Sequence, residues 1–223
     1  MKKAKITEIF SSVQGEGPYV GEEQIFVRFY GCNLGCRFCD ESKKDTFLEY
    51  GPSEVIERII DAKNKTVSFT GGEPLLHADF LKEILPVLKE KKIKIYLETN
   101  GTLKDRLLDI LDCVDIISMD LKLPSSTGLR PYWGEHADFL KEGLKKELFV
   151  KAVVTRKTLL SDIIEAISIV ETVDRNIPFI IQPSSYNGSI EKVDLLFTFF
   201  DRARERLNNV RVIPQVHKIL GMR

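Results

Sequence analysis

Two hydrophobic patterns alternate along the chain. Short runs of β-branched and aromatic residues read as strands, and longer segments with apolar positions three and four apart read as helices. An apolar segment at 6–10 comes first. Core strands are expected at 24–31, 66–69, 93–97, 114–119, 149–154 and 179–181, with 210–213 as a seventh. Helices are expected at 52–62, 78–91, 103–111, 135–146, 161–173 and 190–207. In the second of these, Phe80, Leu81, Ile84, Leu85 and Leu88 share one face, and Pro86 predicts a kink or an early end. Ser161 is expected to cap the fifth helix. Strand–helix repetition with short loops predicts an α/β fold, a parallel sheet of about six strands covered by outer helices. Right-handed crossovers would curl such a sheet into an incomplete barrel. No linker or low-complexity stretch divides it, so a single domain over 1–223 is expected.

Composition narrows the class. With 43% hydrophobic and 30% charged residues, the chain reads as soluble and globular. Its 33 basic residues balance 33 acidic ones, which argues against nucleic acid or an anionic membrane as partner. The first residues, MKKAKITE, have no apolar run behind them, and no stretch approaches the roughly 20 apolar residues of a membrane span. A reducing cytoplasm is expected.

The distinctive polar clusters fall where strands end, the edge on which α/β folds gather function. They are 70–74 (TGGEP), 98–102 (ETNGT), 120–126 and 182–184, together with the loop after the strand at 24–31. A further turn-rich stretch, Ser11-Ser12-Val13-Gln14-Gly15-Glu16-Gly17-Pro18, precedes that strand. Arg28 interrupts the strand's apolar run, so it points to the far face or sits paired in a cavity.

The loop after that strand holds three of the four cysteines, Cys32, Cys36 and Cys39, in the spacing C-x3-C-x2-C. Thiolates this close suit a soft metal or an iron–sulfur cluster, and three ligands would leave one iron of a four-iron cluster open. Structural zinc wants four protein ligands, and a disulfide leaves an odd thiol. Cys113 stands alone among apolar neighbours and reads as a core thiol. His77 and His136 have no assigned role.

C-x3-C-x-aromatic-C, with Phe38 as the aromatic, resembles the signature of the radical S-adenosylmethionine (SAM) enzymes, and Gly71-Gly72-Glu73-Pro74 matches that family's glycine motif. The resemblance implies a partial TIM-like barrel and a [4Fe-4S] cluster on Cys32, Cys36 and Cys39. It also implies SAM contacts from Phe38, Asp40, Gly72, Glu73, Asn100, Ser118, Lys122, Ser126 and Gln182, with Lys122 the one expected to meet a carboxylate. A narrower resemblance joins the two ends of the chain. Val13-Gln14-Gly15-Glu16-Gly17, Phe26-Val27-Arg28, Leu97 to Thr102, Pro124-Ser125-Ser126 and Val212 to Lys218 together look like the 7-carboxy-7-deazaguanine synthase family. That family is a carbon–nitrogen lyase group of queuosine biosynthesis. It turns 6-carboxy-5,6,7,8-tetrahydropterin into 7-carboxy-7-deazaguanine with loss of ammonia, using recycled SAM and Mg2+. The likeness implies a pterin held by Val13, Gln14, Gly15, Arg28, Thr70 and His217, a flavodoxin or ferredoxin as electron donor, and a homodimer.

One departure stands out. Where the family shows Asp-Thr or Asp-Ser after the third cysteine, this chain has Asp40-Glu41-Ser42. Glu41 takes the place of the hydroxyl that the family sets on magnesium, and a carboxylate is a good hard-oxygen ligand. Two other readings compete. A glycyl-radical activase shares the cysteine spacing but has no need of the two chain ends. An iron–sulfur electron carrier needs a fourth ligand and no glycine motif.

Overall fold

The computed structural model describes residues 2–39, 46–186 and 189–222. Its strands are β1 (Ala4–Val13), β2 (Glu23–Phe29), β3 (Leu48–Tyr50), β4 (Thr66–Gly71), β5 (Lys94–Thr99), β6 (Ile116–Asp120), β7 (Glu147–Val154), β8 (Phe179–Pro183), β9 (Ser185–Tyr186), β10 (Ser189–Ile190) and β11 (Val210–Val212). Helices α1 (Pro52–Asp61), α2 (Ala78–Glu90), α3 (Lys104–Leu108), α4 (Pro124–Thr127), α5 (Trp133–Gly143), α6 (Leu160–Val173), α7 (Leu196–Arg204) and α8 (Val216–Ile219) connect them. The main sheet runs β11-β8-β7-β6-β5-β4-β2-β1-β3. From β11 to β2 each neighbouring pair is parallel, while β1 pairs antiparallel with β2 and β3. This is the partial barrel expected, with 210–213 supplying its seventh parallel strand.

Period-two alternation gives each core strand two jobs. One face packs against the helices in a large core that includes Val67, Phe69, Leu97, Ile117, Met119, Val150, Ala152 and Phe179. The other faces inward. At its lower end Tyr96, Ile116, Phe149 and Ile180 form a separate apolar cluster, against which Tyr19 and Ile213 pack. Two or four residues further on, the same inward face carries Glu98, Ser118, Asp120, Lys151 and Gln182, and with Thr70 of β4 they line one cleft. The barrel is thus plugged at one end and polar at the other.

Several boundaries depart from the sequence pattern. β1 runs on to Val13 because 11–13 pair with 23–25, so the expected turn begins later. α2 continues through Pro86, which is exposed, as is Lys82, whose carbonyl it leaves unpaired within the helix; solvent can take that bond. Ser161 lies inside α6 and does not cap it; Leu159 stands at the N-cap, and its amide donates to Ser125 Oγ at 2.9 Å. The helix expected from 190 starts only at Leu196, and Ile190 belongs to β10.

Candidate active site

At the C-terminal edge of the parallel strands lies a cleft of about 750 Å³. The cysteine loop closes one side of it. Cys32, Cys36, Phe38 and Cys39 line the cleft, and all three cysteines are free thiols. Backbone proximity seats the loop: Gly72 N donates to Phe29 O at 3.0 Å and Glu73 N to Gly31 O at 2.9 Å. Two glycines permit this. Gly71 has φ +118°, and a Cβ on Gly72 would stand 1.9 Å from Gly31 O. Beyond them Asn100 Nδ2 donates to Asn33 Oδ1 at 2.8 Å and reaches within 3.8 Å of Cys32 Sγ.

Glu73 is fully buried and does not line the cleft; its carboxylate accepts from Leu75 N, Thr99 Oγ1 and Asn100 N at 3.1, 2.8 and 2.8 Å. Burial outweighs these bonds and pushes its pKa up to about 7. From the other side His136, equally buried, bonds through Nε2 to Asn100 O at 3.2 Å. Burial brings its pKa down to about 4, so it is a neutral imidazole donating to that carbonyl. The Asn100 backbone is thus held at both its N–H and its C=O.

The other side of the cleft is closed by the two chain ends. Val216 N donates to Gly15 O at 2.9 Å, and Gln215 Nε2 donates to Glu16 Oε1 at 2.7 Å. The His217 ring fills the space a side chain at Gly15 would need, with Nδ1 2.1 Å from an ideal Cβ. Glu16 also takes the ammonium of Lys151. Burial alone would raise the Glu16 carboxyl, but Lys151, Gln215 and His217 together hold it at about 2. Lys151 is raised in turn, chiefly by Glu16 against the opposing effect of burial, so both members of the pair are ionised. Next to them Gln14, 2% exposed, donates to Glu98 Oε1 at 2.9 Å. Ser68 and Thr70 hydroxyls donate to the same carboxylate at 3.2 and 2.8 Å.

Over residues 26–174 the sequence matches the radical SAM superfamily. It is 36% identical to the 7-carboxy-7-deazaguanine synthase of Geobacter sulfurreducens over 245 residues, covering 98% of this chain and 97% of the relative. The enzyme of the same name from Methanocaldococcus jannaschii is 35% identical, with 97% and 99% covered. The chain belongs to the 7-carboxy-7-deazaguanine synthase family of radical SAM enzymes. Its fold is shared with the crystal structure of QueE from Escherichia coli, at TM-score 0.68 and 20% identity over 96% of this chain and 95% of that one.

Membership in this enzyme family carries the use of SAM and an iron–sulfur cofactor in general, and the donor set suits it: three free soft thiols on one loop, facing one cleft. Cys36 is pushed up to about 11 by burial, and Asp120, Cys39 and Cys32 add to the rise. Among the described residues, no three His, Cys, Asp or Glu side chains converge at metal-binding distance.

Of the residues singled out for SAM, the cleft is lined by Phe38, Gly72, Asn100, Ser118, Lys122 and Gln182. Gln182 is 1% exposed and its Oε1 has no partner. Lys122 is paired with Asp120 at 2.8 Å. Ser126 is buried away from the cleft, bonded to Thr158 Oγ1 at 2.7 Å, and so supports the loop, as Glu73 does. Asp40 and Glu41 lie outside the described residues. Val13, Gln14, Gly15, Arg28, Thr70 and His217 all line the cleft. Arg28 already has a carboxylate, Glu8, at 2.8 Å. Cys113 packs partly buried against the large core. Among the described residues, no helix is long and apolar enough to cross a membrane. Sequence reasoning passed over Glu98, Glu16, Lys151 and His136. For Lys151 a signal existed, since a charge inside the apolar run Phe149 to Val154 has the same meaning as Arg28 inside its own strand.

Proposed function

We propose that this chain converts 6-carboxy-5,6,7,8-tetrahydropterin to 7-carboxy-7-deazaguanine with release of ammonia, and that residues 1–223 do so as one domain. The observation that carries this reading is the junction of Gln14-Gly15-Glu16 with Gln215-Val216-His217, joined across 199 residues over the cleft that the cysteines face. A glycyl-radical activase or an electron carrier has no use for such a junction.

In this reading Cys32, Cys36 and Cys39 hold a [4Fe-4S] cluster, with SAM beside it. Bound there and reduced by a flavodoxin or ferredoxin, that pair would supply the radical chemistry the reaction needs. The protein orients the reactants. Gln182 offers an unsatisfied buried acceptor to an amino group, and a buried acceptor without a donor discriminates strongly for one. Lys122 offers charge to the SAM carboxylate. Glu98 fixes the Gln14 amide and the Thr70 hydroxyl, so both face the substrate in one orientation. Arg28 shares its guanidinium between Glu8 and the substrate carboxylate, since five N–H donors exceed what one carboxylate takes. His217 closes the same end. Glu41 would hold the magnesium, supplying a hard carboxylate oxygen where the family has a hydroxyl.

Anaerobic incubation of reconstituted protein with SAM, Mg2+, reductant and the carboxytetrahydropterin should yield 7-carboxy-7-deazaguanine by mass. Reduced, SAM-competent protein that leaves the pterin unchanged would refute the assignment. A glycyl radical raised on an added partner enzyme would favour the activase.

A further inference from the structure

Four charged side chains cross the cleft in alternating sign: Glu16, Lys151, Asp120 and Lys122. Lys151, 7% exposed, stands on the inner face of β7. Its ammonium contacts Glu16 and lies 3.9 Å from Asp120 Oδ2. The two carboxylates hold different parts of the site. Glu16 accepts from Gln215 and thereby seats the C-terminal strap beside Gly15. Asp120 Oδ2 fixes Lys122 at 2.8 Å, on the side of the cysteine loop. Asp120 Oδ1 has no partner and is buried. Removing the Lys151 cation leaves Glu16 without its counter-charge and Asp120 with Lys122 alone, and the two carboxylates move apart or draw in water. Nothing in the function proposed above uses Lys151.

We propose that Lys151 is a positioning residue that ties the pterin-side strap to the SAM-side loop, so that each ligand strengthens the binding of the other. The inference rests on the function proposed above. A lysine that merely satisfies the sheet interior would affect folding and leave the two affinities independent. A coupling lysine links them, and by thermodynamic reciprocity the factor is the same in both directions.

Cluster-loaded protein without reductant, which cannot turn over, allows the factor to be measured. Equilibrium dialysis of labelled SAM with and without saturating carboxytetrahydropterin gives it directly. Wild type should show SAM tightened at least fivefold by the pterin. Lys151→Met should bring the ratio to within a factor of two of unity, and Lys151→Arg, which keeps the charge, should retain it. Glu16→Gln cuts the same link at the strap end and should also abolish it, and it carries the test if the methionine variant fails to fold. A ratio in Lys151→Met or Glu16→Gln equal to that of wild type overturns the inference, as does a wild-type ratio of one in protein that makes product. Wild type that neither binds nor converts the pterin would instead sink the functional reading beneath it.

Discussion

The cysteine loop and the C-terminal strap close opposite sides of one cleft, yet different forces hold them. On the cysteine side the contacts are backbone approach at Gly71 and Gly72 and neutral hydrogen bonds among Asn33, Asn100 and Thr102. The thiols form no disulfide and line the cleft. On the strap side the side chains themselves do the holding, through Gln215 and His217 against the Glu16 turn and its buried partner Lys151. Breaking a buried ion pair by removing one partner typically costs about 3–5 kcal/mol. The cysteine side should therefore lose chemistry before fold, and the strap side should lose substrate geometry before cofactor.

The largest effect belongs to the thiols. Replacing Cys32, Cys36 or Cys39 by Ala should remove about four irons per chain and all turnover, with apo melting unchanged, whereas Cys113→Ala should keep its iron. Iron retained without Cys36 would break the comparison at its root.

Glycine substitutions on the two sides sharpen it. An alanine at 72 meets the backbone oxygen of Gly31 at 1.9 Å, which cannot turn aside. Gly72→Ala should lose about 3 kcal/mol of stability together with cluster retention, read by melting and iron content. An alanine at 15 meets the His217 ring at 2.1 Å and its Cβ at 2.6 Å, so the short helix α8 must shift along with the ring. Gly15→Ala should keep its iron and raise the pterin KM instead. Equal losses of iron in the two variants would erase the distinction.

Two buried groups around Asn100 give the cysteine side a pH signature. Glu73 is raised from 4.5 to about 7, so the stability it contributes is full below pH 4.5 and is lost as pH rises through 7. His136 is lowered from 6.5 to about 4, so its contribution is full above pH 6.5 and is lost as pH falls through 4. Each shift corresponds to about 3 kcal/mol, in opposite directions. Denaturation of Glu73→Gln should show only the acid-side loss and that of His136→Phe only the alkaline-side loss. Profiles parallel to wild type would show that neither group is buried as described.

The smallest change is Arg28→Ala. Loss of one charge-assisted contact should weaken pterin binding by about 2 kcal/mol, roughly thirtyfold in KM, with SAM affinity in the absence of pterin unaltered. An unchanged KM would assign Arg28 wholly to Glu8.

Much of this architecture was legible because strand and helix periods differ and each segment keeps one of them. The misreadings have local causes. Ile190, Val193 and Leu196 mimic a helix, but Glu191 is drawn to Arg156 and its amide to Ser184 O, which holds 189–190 extended. The cysteine loop and the residues at strand ends were readable because glycine, cysteine and clustered polar residues stand out from apolar neighbours. Lys151 and Glu98 were harder. Each is a single inward position inside a strand, and its partners lie 135 residues away for Lys151 and 84 for the Gln14 bond of Glu98. The backbone-holding bonds of Glu73 were hidden for a related reason. A carboxylate beside a glycine motif reads as a ligand contact, and its bonds to the amides of Leu75 and Asn100 appear only in the folded chain.

The most direct test of the whole account is the ratio of product to SAM consumed. With SAM far below the pterin concentration, under anaerobic reduction with Mg2+, many equivalents of 7-carboxy-7-deazaguanine and of ammonia should form per SAM, with little 5′-deoxyadenosine. Accumulation of 5′-deoxyadenosine in step with SAM loss, and no deazaguanine, would contradict it.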